Sequence, residues 1–127
     1  MSVRASRDIP PALAYLPDLD RYRFFELYDG RGVYGFGALA EGPDNLEAHL
    51  ELSRFGPHVL RSLQGDALWL RAEAARLGKS HVLALRADLD RPDPRWPKFT
   101  RLMGFTGQTV VQVARLDASA FAPFGGL

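Results

Sequence analysis

Apolar and polar residues alternate most regularly between positions 46 and 53. Leu46, Ala48, Leu50 and Leu52 fall on one face of an extended chain, and Glu47, His49, Glu51 and Ser53 on the other. This predicts a strand with one face in the core and one face polar. Arg54-Phe55-Gly56 interrupts the alternation, and Pro57 suits a first helical position. From there the period changes. Val59, Leu60, Leu63, Leu70, Ala74 and Leu77 make an apolar stripe at helical spacing, which predicts a helix over 57 to 77 ended by Gly78. Gly65 weakens that helix by roughly 1 kcal/mol relative to alanine, so a break there, with Asp66 capping a second segment, is the alternative. His81-Val82-Leu83-Ala84-Leu85 is nearly continuously apolar, the pattern of a central strand over 81 to 87 covered on both faces.

The flanks carry weaker patterns. Residues 1 to 8 are polar, hold Arg4 and Arg7 and have no period, which predicts an arm rather than an element. Pro10-Pro11 opens a turn or two of helix at 12 to 16 before Pro17 stops it. The aromatic-rich segments 22 to 28 and 33 to 40 are joined by Asp29-Gly30 and Gly32, which predicts a β-hairpin. Gly35 and Gly37 in its second arm mark a bulge or a close approach of another group to the backbone. After 81 to 87 come three aspartates and two arginines between 86 and 93, then a short helix that starts near Pro94, is anchored by Trp96, Phe99 and Leu102, and ends at Gly104. Residues 109 to 116 are rich in β-branched side chains and predict a last strand. The apolar tail over 118 to 127, with Phe121 and Phe124, docks on the sheet or on a partner.

Composition narrows the classes. A chain of 127 residues with 46% hydrophobic and 24% charged residues is expected to form one domain with one core, here 22 to 117, preceded by the arm and short helix of 1 to 21. There is no cysteine, so disulfides, thiolate metal sites and a cysteine nucleophile are excluded. The net charge is +1 and no long run of one sign occurs, which gives nucleic-acid binding no electrostatic footprint. No apolar run is long enough to span a bilayer and the first residues have no signal core, so a soluble intracellular protein is expected.

The order of hairpin, alternating strand, long helix, apolar strand and short helix, with Phe99-Thr100-Arg101-Leu102-Met103-Gly104-Phe105 after the apolar strand, resembles the GNAT-family N-acetyltransferases. Among them it is most similar to the compact, divergent members met in bacteriophage genomes. The resemblance implies an α/β (α+β) fold: a mixed central sheet with a hairpin start, a long helix between two splayed parallel strands, a short helix and a C-terminal strand. It implies acetyl-CoA between strands 46 to 53 and 81 to 87, with the pyrophosphate on backbone amides at the start of the intervening helix. A carbonyl or amide near Leu52 would hold the thioester. The family's phosphate loop has Gln or Arg, two residues, Gly, one residue, then Gly or Ala. Counted back from Gly78, these places fall on His58, Arg61 and Leu63, so neither glycine is present and side chains at 61 and 63 are expected to crowd the amides. Arg61-Ser62-Leu63-Gln64-Gly65-Asp66-Ala67 imitates the motif one residue out of register. His58, Arg61 and Ser62 are therefore the phosphate candidates, Arg61 through its guanidinium fork.

Two further family positions, an asparagine against the cofactor and a tyrosine acid seven residues on, correspond to Asp93 and Thr100. A threonine hydroxyl is far less acidic than a phenol, which leaves that proton to water or to nothing. Only about twenty residues precede the hairpin, too few for the family's usual first strand and two helices, so the acceptor pocket is truncated or borrowed from a neighbouring chain.

Glu47, His49 and Glu51 lie on the strand that bears the general base in many members, and a carboxylate or imidazole there can take a proton from an amine. The plainer alternative is a solvated face. A zinc site of His49, Glu51 and His81 lacks the helical His-pair spacing of metal motifs, and no metal is expected. Two readings follow. One is an acyltransferase moving an acetyl group from acetyl-CoA to a small-molecule or peptide amine in the cytoplasm. The other is a catalytically silent GNAT-fold structural or adaptor module, such as a phage virion component, that assembles with itself or a protein partner through the aromatic hairpin or the tail. The two differ in whether acetyl-CoA binds.

Overall fold

A computed structural model describes residues 3–85 and 94–107, together with residues 114 and 116. Five strands form one sheet in the order in which they occur along the chain: β1 (Val3–Ala5), β2 (Arg23–Asp29), β3 (Gly32–Glu41), β4 (Asn45–Leu52) and β5 (His81–Ala84). The first four are antiparallel to their neighbours, and β5 lies parallel to β4. A parallel neighbour needs a crossover, supplied here by the long helix α1 (Pro57–Arg76); the short helix α2 (Trp96–Leu102) follows β5. The hairpin, the strand and the long helix are those predicted from the pattern, and the mixed sheet with a helix between two parallel strands is what the resemblance implied. The last predicted strand, over 109 to 116, and the tail over 118 to 127 lie outside the described residues, apart from residues 114 and 116.

The alternating strand buries the expected face. Leu46 is fully buried with Phe25, Leu39 and Ala74, while Leu50 and Leu52 pack on the cluster of Leu27, Tyr34, Val59 and Leu63. α1 runs through Gly65 without a break, because Val59, Leu63 and Ala74, on either side of the glycine, are buried on one stripe. Asp66 caps nothing; its carboxylate accepts from the Tyr34 hydroxyl. The helix ends as predicted. Gly78 has φ of 73°, and Lys79 N–H reaches back to Ala74 O at 2.9 Å, the bond that closes a left-handed helix cap. Gly35 is a close approach: a Cβ there would sit 3.0 Å from Glu51 O across the ladder.

Three expectations are corrected. The N-terminal arm contributes β1, which pairs Val3 with Leu27 and Ala5 with Phe25, and Ser6 N–H extends the contact to Phe24 O at 2.8 Å. Three residues are too few to show a period, so only the partner strand reveals the element. β5 is not covered on both faces: Val82 packs under α1, while Leu83 and Leu85 are 40% and 44% exposed. It is last in the sheet among the described residues, and the strand predicted over 109 to 116, which bears on whether it is central, lies outside them apart from residues 114 and 116. A continuous apolar run cannot say which of its faces a second layer covers. The short helix between 12 and 16 is instead two 3₁₀ turns, Pro11–Leu13 and Leu19–Arg21. Leu13, Leu16 and Leu19 place these turns on the sheet face opposite α1, over Tyr22, Phe24, Ala38 and Ala40.

Candidate active site

Strand register decides what the polar face of β4 meets. The β2–β3 ladder begins at Arg23 opposite Leu39, which sets Tyr22 level with Ala40, and Ala40 pairs with Glu47. Ala38 and Ala40 are buried beside Tyr22 and have nothing beyond Cβ, so the phenol ring spans β3 and its hydroxyl donates to Glu47 Oε2 at 2.7 Å. His49 Nε2 meets the same oxygen at 2.8 Å, and the Arg21 guanidinium donates to Oε1 at 3.1 Å. The edge of the Tyr22 ring packs on His49 at 5.6 Å between centroids. Glu47 and His49 side chains are only 14% and 13% exposed. Two residues on, Glu51 accepts from the Tyr15 hydroxyl at 3.1 Å.

Burial opposes ionisation of Glu47, but the hydrogen bonds from His49, Tyr22 and Arg21 together outweigh it and hold the carboxyl below its ordinary value. Burial, then the bond to Glu47, pushes the Tyr22 phenol up, so it stays a donor at neutral pH. A carboxylate so well satisfied is a poor proton acceptor. It is a good orienting group: with Nε2–H directed at Glu47, the other ring nitrogen carries the lone pair, and His49 Nδ1 has no hydrogen-bond partner among the described residues. The pair is arranged as an imidazole base held in one tautomer by a carboxylate.

This pair sits where the described β4–β5 pairing ends. The β4–β5 ladder runs from Asn45 opposite His81 to Ala48 opposite Ala84, with Leu85 N–H on Ala48 O at 3.2 Å as its last described bond. Ser53 N–H bonds back to Tyr34 O on β3, whereas Ala48 O points toward β5. By alternation, the backbone groups of Leu50 and Leu52 also point to the β5 side, beyond the last described pair.

α1 begins at the same end of β4. Its first intrahelical bond is Leu60 N–H to Gly56 O at 2.9 Å, so the amides of His58 and Val59 precede it, and no side chain caps the helix. A Cβ at Gly56 would meet nothing within 4 Å. The helix start thus has both the polarity and the open space that an anion needs. Arg61 and Leu63 lie inside the helix. Leu63 is buried in the core and Arg61 is exposed, with its guanidinium 3.4 Å from His58 Nδ1. Ser62 and Arg61 line an open cleft of about 550 Å³ facing Tyr28, Asp29 and Gly30 of the hairpin. Leu52 ends β4 and packs toward Val59 and Leu63.

A half-open apolar cavity of about 110 Å³ lies on the helix side of the sheet. Its wall includes Ala48 and Ala84, the last described pair of the parallel ladder, with Leu50, Ala67, Phe99 and Met103. It separates the cluster around Leu46 from the cluster around Leu63. Missing packing on this scale costs on the order of 2 kcal/mol. Thr100 borders it and is buried, and its hydroxyl is turned into its own helix, onto Trp96 O and Pro97 O, both at 3.1 Å.

The structure therefore brings Glu47 and His49 together, sets Glu51 two residues away on the same face, and joins His58 to Arg61. Asp93 lies outside the described residues. His81 opens the β4–β5 ladder and contacts Ser80 Oγ at 2.7 Å; among the described residues no group of three His, Asp or Glu could hold a metal ion. Tyr15, Arg21 and Tyr22 were not singled out by the sequence. No spacing signals them, since they reach their partners 36, 26 and 25 residues away only through the register of two antiparallel ladders.

No protein-family model matches the sequence, and no curated protein does. Solved structures do share the fold. Glucosamine-6-phosphate N-acetyltransferase from Arabidopsis thaliana matches over 77% of this chain and 69% of its own, with a TM-score of 0.50 and 13% identity. YycN of Bacillus subtilis, named as a candidate acetyltransferase, matches over 78% and 64%, with a TM-score of 0.50 and 15% identity. The chain thus spans about two thirds of the length of each. At such identity the likeness is one of architecture: the chain has a GNAT-like fold.

Proposed function

We propose that the protein transfers an acyl group from a coenzyme A thioester, acetyl-CoA in the simplest case, to an amine. One observation carries the reading: the half-buried pair of Glu47 and His49, 2.8 Å apart, stands beside the point where β4 parts from its described pairing with β5. The chain's groups also fit the thioester chemically. The His58 and Val59 amides and the exposed Arg61 suit phosphate, and the Leu50 and Leu52 backbone edges suit the amides of a pantetheine arm. The fold shared with a protein named as an N-acetyltransferase supports transfer to nitrogen.

Bound there, the thioester supplies an activated acyl carbon. The chain does the rest. His49 Nδ1 removes the proton of the incoming amine as the C–N bond forms and the C–S bond breaks, and Glu47 holds the ring and stabilises the imidazolium. Tyr22 and Arg21 keep Glu47 ionised in its half-dry site. With its hydroxyl committed to helix carbonyls, Thr100 gives no proton to the sulfur, which takes one from water.

The test is release of the coenzyme A thiol, read with a thiol reagent against a protein that contains no cysteine. Release should depend on an added amine and should be lost in His49→Ala, while acetyl-CoA still raises the melting temperature of that variant by ligand linkage. Absence of both release and a melting shift at millimolar acetyl-CoA would overturn the reading.

A further inference from the structure

We infer that the apolar cavity behind the β4–β5 junction is an acyl-chain pocket, and that the preferred thioester carries about four carbons rather than two. The inference rests on the acyltransferase reading and adds the substrate class to it.

Position comes first. Ala48 and Ala84 are the last described pair of the parallel ladder and both belong to the cavity wall, so the space begins beside the backbone edges of Leu50 and Leu52, where the acyltransferase reading seats the thioester. The His49–Glu47 pair lies on the opposite face of the same strand. An acyl carbon at this junction has the base on one side and the cavity on the other, which lets the amine and the acyl chain occupy different faces of the sheet.

Chemistry comes second. The polar side chains on this face of the wall are already engaged: Asp66 accepts from Tyr34, and Thr100 donates to carbonyls of its own helix, while the imidazole of His49 is turned to Glu47 on the opposite face of β4. Water needs two or more polar partners to be held, and this wall offers it few. The rest is aliphatic and aromatic, with Leu50, Leu63, Leu70, Phe99 and Met103 facing the same space.

Size comes third. A dry cavity of roughly 150 Å³ holds the six carbons of benzene, so about 110 Å³ holds about four. An acetyl methyl would leave most of the space unfilled. The wall is also built from small residues where it meets the junction, since Ala48, Ala84 and Gly37 come from the sheet and Ala67 from α1.

The experiment compares coenzyme A with its acetyl, butyryl and octanoyl thioesters, both by melting shift and by thiol release with a single amine. Each buried methylene is worth about fourfold in affinity, so butyryl-CoA should bind roughly fifteenfold tighter than acetyl-CoA. Octanoyl-CoA should fall back below butyryl-CoA. Ala67→Leu, and independently Ala84→Val, should lower the butyryl-to-acetyl ratio at least fivefold, and either variant suffices if the other fails to fold. Equal shifts for coenzyme A and all three thioesters would overturn the acyl pocket and leave acyl transfer standing. No shift with any of them would overturn both.

Discussion

On the helix side of β4, Leu46 is fully buried against Phe25, Leu39 and Ala74, and Leu50 and Leu52 pack on Val59 and Leu63 of α1. On the other side, Glu47 is held by three donors, two of them from residues that precede the first long strand. The first face is assembled by area: any large aliphatic side chain at those positions gains on the order of 2 kcal/mol on burial, whatever its neighbour. The second is assembled by geometry, because a carboxylate only 14% exposed is tolerable only if particular donors lie within about 3 Å of it. One strand therefore carries a tolerant face and an exacting one.

Substitutions can separate the two. The largest effect is expected from His49→Ala, which removes the proposed proton acceptor and should lower the turnover number about a thousandfold, at a stability cost of about 1 kcal/mol from the lost bond to Glu47. On the opposite face, Leu46→Ala should behave in the reverse sense. It should cost about 3 kcal/mol of stability, read by denaturant unfolding, while the folded fraction keeps its turnover number. If Leu46→Ala abolished turnover in folded protein, the two faces would not be separable.

Tyr22→Phe should fall between them. It keeps the ring over Ala40 but removes one donor to Glu47, at a cost of about 1 kcal/mol. It should also raise the Glu47 carboxyl toward its ordinary value, which narrows the difference in stability between neutral and acid pH. The underlying pH effect is the smallest. Glu47 and Asp29 are both depressed, Asp29 through hydrogen bonds from Arg54 and from the Arg31 amide. A carboxyl with a depressed folded value contributes stability that is full above its ordinary range and is lost as pH falls through the depressed value. The melting temperature should therefore decline on acidification. Arg54→Met should remove only the part due to Asp29, and an unchanged pH profile in Tyr22→Phe would show that Glu47 is not held by this network.

The bounds of β4 and α1 were legible because each element has a period long enough to read: eight residues in one case and twenty in the other. Gly78 was legible as a cap, and Gly35 as either a bulge or a close approach, for the same local reason. β1 was not, since three residues have no period, and the exposed second face of β5 was not, since an apolar run looks alike under one layer or two. Within the site, the candidates Glu47 and His49 could be named from the strand alternation, yet their order of roles could not. Tyr22 and Arg21 help His49 hold the Glu47 carboxyl below its ordinary value, and nothing within ten residues of Glu47 announces them.

By itself, then, the sequence determined the elements and the faces they bury, because hydrophobic period is a local property that each segment carries alone. Only the tertiary structure decided which polar side chains of β4 meet, what holds them, and that a cavity lies behind the β4–β5 junction. These depend on register between strands and on how two helices meet the sheet, distances set by residues far apart in the chain.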